Sequence, residues 1–113
     1  MFGRRGRFKD LIERQLSIYM ADHRELFARM AEAKSAYEGA GADEAEELFG
    51  DYMDLVEEAE EELLALRDTY AEGMAARDRR SYEGEFYRAA EKRLPSLAAR
   101  REYRRATDPD TYA

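Results

Sequence analysis

The sequence predicts an all-α fold, a long antiparallel helical hairpin with a third, proline-kinked helix packed on it as a helical bundle. Three observations carry this. Two long stretches repeat apolar residues in alternating steps of four and three, the 3.5-residue period of a coiled-coil-like seam. A short segment with two glycines, Gly39 and Gly41, separates them. Two prolines in 113 residues and a 40% share of charged side chains suit long helices with solvated outer faces.

The first helix is expected from about Phe8 to Glu38. Its seam is Ile12, Leu16, Tyr19, His23, Leu26, Met30, Ala33 and Tyr37. Met20 and Phe27 widen the stripe on one side. The second helix is expected to open at Asp43, whose carboxylate can cap free amides, with Glu46 three residues on as in a capping box. Acids fill its first turn, where the helix dipole favours them. Its seam is Ala45, Phe49, Tyr52, Val56, Ala59, Leu63, Leu66 and Tyr70. The short link makes the two helices antiparallel. That fold places Met30 near Tyr52, His23 near Ala59, Leu16 near Leu66 and Ile12 near Tyr70.

Two such helices leave apolar surface uncovered, so a third element or a second chain must bury it. Residues 77–81 read as a polar turn, with Ser81 as a cap. The third helix then presents Tyr82, Phe86, Ala90, Arg93 or Leu94, and Leu97 on one face. Pro95 removes an amide and disfavours helix at Leu94, so the helix breaks there and resumes to about Ala106. The organisation is a basic N-terminal arm over 1–7, one helical-bundle domain over 8–107 and a C-terminal tail over 108–113. A chain of this size buries roughly 60–70% of its unfolded surface, which gives a thin core.

Charge is segregated beneath a net value of −7. Residues 1–9 carry four bases and no acid, and residues 43–62 carry eleven acids and no base. Residues 79–107 carry nine bases against four acids. An antiparallel third helix would lay its arginines along the acidic stretch from Asp54 to Glu62. No cysteine is present, which excludes disulfides, a thiol nucleophile and cysteine-ligated metal. That agrees with a reducing compartment, and the expected location is cytoplasmic. No apolar run reaches the ~20 residues needed to span a bilayer. The paired Arg4 and Arg5 resemble an export signal, but Asp10, Glu13 and Arg14 stand where its apolar region should begin.

The residues that could carry chemistry are few. His23 is the single histidine, and its place in the seam predicts a core imidazole bonded to a tyrosine or carboxylate rather than a metal ligand or general base. Di-metal carboxylate bundles need Glu-x-x-His on facing helices, and Met20 stands three residues before His23. No nucleophile lies at a readable spacing from a base, and no phosphate-cradling loop is present. The sequence therefore predicts a protein that is not an enzyme, with no cofactor and no metal.

Tyrosine on both seams is unusual for a core built for stability alone, since each buried hydroxyl needs a partner. Tyr82, Phe86, Tyr87 and Tyr103 add aromatic surface to the third helix. Aromatic residues are enriched at protein interfaces. The expected function is a small non-catalytic interaction module (an adaptor, assembly subunit or regulator) that binds a protein partner or itself through those faces, as a homodimer or larger. An alternative is an RNA- or ribosome-associated binder that contacts phosphates through Arg4, Arg5, Arg7, Lys9, Arg100, Arg101, Arg104 and Arg105. The acidic total disfavours nucleic acid, because a negative field repels it. A metal-carboxylate helical-bundle enzyme is the third and weakest alternative.

Overall fold

The structure of the protein is a computed structural model that describes residues 6–97. Four helices follow one another, α1 (Lys9–Asp22), α2 (Arg24–Glu38), α3 (Ala42–Ala71) and α4 (Ala76–Arg93). The expected all-α bundle is the observed fold. α1 and α2 run in one general direction, α3 returns, and α4 comes back alongside α1. The α1–α4 alignment is parallel, since Arg7 meets Asp78 at one end and Arg93 meets Ser17 at the other.

The first long helix is divided at His23, where one continuous helix was expected. His23 has φ −111° and ψ 29°, outside the helical basin. The cause is local. The Tyr19 carbonyl accepts both the His23 backbone amide at 3.0 Å and lies 2.9 Å from His23 Nδ1. A side chain that engages the carbonyl of the preceding turn bends a helix at that point. The Phe27 amide still donates to the His23 carbonyl at 3.0 Å, so the chain turns without losing its ladder.

α3 is 30 residues long, about 45 Å at 1.5 Å per residue. It starts one residue before Asp43, from Gly41. The amides of Glu44 and Ala45 donate to the Gly41 carbonyl. Asp43 makes no capping hydrogen bond, so its contribution is charge at the positive end of the dipole. α4 begins at Ala76, earlier than expected. The polar segment 77–81 is its first turns, because Asp78 supplies the first-turn acid and also pairs with Arg7. Its end is as expected: Leu94 leaves helical geometry at φ −131° and ψ 67° ahead of Pro95, and helix resumes at 95–97.

One core joins all four helices. It contains Ile12, Leu16 and Tyr19 of α1, Leu26 and Met30 of α2, Tyr52, Val56, Ala59 and Leu63 of α3, and Tyr82 and Phe86 of α4, with Leu94 and Leu97 beyond. α2 packs closely along α3, while α1 leans towards α4 and diverges from α3. The bend at His23 thus opens the hairpin below its midpoint, and α4 fills only one side of the opening.

Candidate interaction site

The other side of that opening is a cleft of about 260 Å³ between α1 and the second half of α3. Leu11 and Ile18 form its α1 wall, and Leu66 and Tyr70 form its α3 wall. Ile18 is 54% exposed and Tyr70 46% exposed, the two large apolar side chains of the described residues that face solvent most openly. Both line this one cleft. Water around such side chains is released when another apolar surface covers them.

Polar groups surround the apolar walls. Gln15 is buried, its Oε1 accepts from the Tyr82 hydroxyl at 2.8 Å, and its Nε2 has no hydrogen-bond partner among the described residues. His23 closes one end: its ring lies 4.5 Å from the Tyr19 ring, and Nε2 is 3.6 Å from Glu62 Oε2. With Nδ1 turned to a carbonyl, that contact is an ion pair only when the imidazole carries its second proton. Arg14 and Asp22 stand exposed on the α1 rim.

Two tyrosines anchor the site from behind. The Tyr19 hydroxyl donates to the Ala59 carbonyl at 2.5 Å. The small Ala59 side chain leaves the α3 backbone open to it. Burial pushes the Tyr19 phenol well above its ordinary range, and the Glu62 carboxylate pushes it the same way. Burial also raises the Tyr82 phenol, against the lowering effect of its bond to Gln15. Both hydroxyls are held protonated and already donate within the fold. They act as struts for the cleft, and neither is placed as a proton donor to a ligand.

The residues singled out from sequence are distributed unevenly. His23 lines the cleft and is half-buried, where a core imidazole bonded to a tyrosine side chain or carboxylate was expected; its Nδ1 lies against the backbone carbonyl of Tyr19 instead. Tyr82 and Phe86 are fully buried. They pack beneath α1, with Phe8 edge-on to Tyr82 at 5.6 Å, so they cannot serve as the exposed interface expected of them. Tyr87 is half-buried beside a small cavity of about 30 Å³ near Glu60 and Arg67, and its hydroxyl donates to Glu91. Tyr103 lies outside the described residues.

Of the basic residues, Arg7 pairs with Asp78 at 2.7 Å and lies over the Phe8 ring, and Lys9 pairs with Glu13 at 2.8 Å. Both have internal partners. Arg4, Arg5, Arg100, Arg101, Arg104 and Arg105 lie outside the described residues.

Sequence reasoning missed Ile18 and Gln15. A signal for them existed: Leu11, Gln15, Ile18 and Asp22 form a second stripe of 4-3-4 spacing beside the main seam.

No family model, curated protein or solved structure matches this chain. Among the described residues, no helix is long and apolar enough to cross a membrane, and no group of three or more His, Asp or Glu side chains is arranged to hold a metal ion.

Proposed function

We propose that the protein is a small non-catalytic interaction module of the cytoplasm, and that the α1/α3 cleft is where its protein partner docks. One observation carries this: the most exposed large apolar residues, Ile18 and Tyr70, converge on a single cleft with apolar walls. Scattered surface apolar residues are ordinary, whereas a contiguous patch rimmed by polar groups marks an interaction site. The polar rim of Arg14, Asp22, His23 and Glu62 would set orientation, and the apolar walls would supply most of the binding free energy.

The cleft suits a helix. An amphipathic helix lays side chains spaced i, i+3, i+4 into a groove between two others. The test is recovery of the full chain from its own host under gentle conditions, wild type beside Ile18→Glu and Tyr70→Glu. The expected result is one stoichiometric polypeptide, a copy or another protein, held by wild type and lost from both variants. Equal recovery by all three chains would remove the cleft from the reading. Recovery of RNA in place of protein would replace the reading itself.

A further inference from the structure

The α1 rim of the cleft has a symmetry that a docking surface for a foreign protein does not need. Ile18 stands at its centre. Arg14 lies four residues before it and Asp22 four residues after it, on the same helix face. Neither Arg14 nor Asp22 makes an ion pair with any described residue. Both are exposed, and so is Ala21, whose small side chain permits close approach of a second helix.

We propose that a second copy of this chain covers this face. The α1 helices of two protomers pack antiparallel about a two-fold axis at Ile18, and each Arg14 meets the partner's Asp22. The inference rests on the cleft being the docking site and names its occupant. An isologous contact brings one patch against itself, so every residue of the patch must tolerate its mate. Reversing α1 about Ile18 sends position 14 onto position 22 and position 18 onto itself. Opposite charges at equal distances on either side of an apolar centre satisfy that operation twice, once on each side of the axis. Two like charges there would oppose it. Tyr70 and Leu66 from each α3 then flank the paired helices and lose their exposure.

The net charge of −7 on each copy opposes association. The α1 side of the pairing face is balanced, with one guanidinium and one carboxylate, while Glu62 stands on the α3 side beside His23. The other charges of the described residues are spread over about 51 Å. At physiological salt the screening length is about 8 Å, so most of that repulsion is lost while the short Arg14–Asp22 contacts survive.

The test uses the purified full chain at roughly physiological salt, with mass measured by sedimentation across a dilution series and folding checked by circular dichroism. Wild type should sediment as a dimer. Ile18→Glu should weaken the dimer on the order of 100-fold, since two charges would enter the apolar centre. Arg14→Asp alone and Asp22→Arg alone should each weaken it about tenfold by setting like charges opposite one another. The decisive step is mixing those two variants. The new carboxylate at position 14 of one chain then faces the new guanidinium at position 22 of the other, and each unchanged residue also meets an opposite charge. A heterodimer should form with an affinity near that of wild type.

A wild-type monomer throughout the series would overturn the proposal, and so would a dimer indifferent to Ile18→Glu or a mixture that remains monomeric. If the purified chain is monomeric and the host chain still loses a protein partner on Ile18→Glu, the docking cleft stands and only its occupant changes. If neither experiment responds to Ile18, both fall.

Discussion

The Tyr82 hydroxyl of α4 donates to Gln15 Oε1 of α1 at 2.8 Å, and this bond lies wholly inside the protein beside a Gln15 amide nitrogen that has no described partner. A pair of this kind costs more to break by halves than to remove whole, because truncating one member strands the other without water. Tyr82→Phe strands the Gln15 oxygen as well as its nitrogen and should lower stability by about 1–3 kcal/mol. Gln15→Leu strands the Tyr82 hydroxyl but removes the orphan nitrogen, so its cost should be smaller. The double variant should be near wild type or above it. Urea unfolding of the four chains gives the coupling directly, and strictly additive losses would show that the pair does not act as a unit.

His23 bends α1 away from α2 by drawing on the Tyr19 carbonyl, and leucine has no group with which to do so. Leucine is also the better helix former. His23→Leu should therefore match or exceed wild type in thermal stability and gain helical ellipticity as the two helices straighten. Straightening moves the α1 wall, so binding at the cleft should weaken although the fold does not. A variant that unfolds several degrees lower would show that the imidazole holds the fold together rather than shaping it.

The helical elements were legible in the sequence because burial of a stripe is a periodic demand. Ile12, Leu16, Tyr19, Leu26 and Met30 on one seam, and Tyr52, Val56, Ala59 and Leu63 on the other, are all buried. The cleft was not legible, and the reason is the bend. A straight hairpin pairs Ile12 with Tyr70 and Leu16 with Leu66. The observed α1 turns its main stripe into the shared core with α4 and leaves Leu66 and Tyr70 facing the second stripe, Gln15 and Ile18. Nothing in the apolar spacing distinguishes these cases, since both bury Ile12 and Leu16. The distinction arises at His23, where the backbone leaves helical geometry. The seam tyrosines divide on the same ground: Tyr19 and Tyr52 are buried, Tyr37 is half-buried against Phe49 at 5.0 Å, and Tyr70 lies in the cleft.

Glu85 of α4 holds the start of α1. Its Oε1 accepts the Phe8 amide at 3.0 Å, a carboxylate at a helix N-terminus where unpaired amides and the dipole favour it. Gly6 passes over the same carboxylate at φ +94°, and a Cβ there would lie 2.6 Å from Glu85 Oε1. Gly6→Ala should cost about 1–2 kcal/mol from the left-handed backbone alone. Glu85→Leu should cost about 1 kcal/mol, with Glu85→Gln closer to wild type because an acceptor oxygen remains. Amide hydrogen exchange reads this locally: Phe8 protection should fall in the alanine and leucine variants while that of Leu63 is retained. Equal losses at both sites would mean that the clamp unfolds with the whole domain.

The two strut tyrosines make stability fall in alkali, and the sign follows from their shifts. Both phenols are raised in the folded state, Tyr19 by burial and then Glu62, Tyr82 chiefly by burial. In the unfolded chain each ionises near its ordinary value of about 10. Below that pH both states keep the protons, and the contribution is fully present. Above it the unfolded chain releases protons that the folded chain retains, so unfolding gains and stability declines as pH rises towards the folded values. The limiting slope is about 1.4 kcal/mol per pH unit for each phenol. Urea midpoints from pH 8 to 11 should be flat at first and then drop. Tyr19→Phe should lower the whole curve by about 1 kcal/mol for the lost bond to Ala59, and should also make the alkaline decline shallower. A decline as steep as wild type in Tyr19→Phe would assign the effect to other groups, while parallel shallowing in Tyr82→Phe would place both struts under the same control.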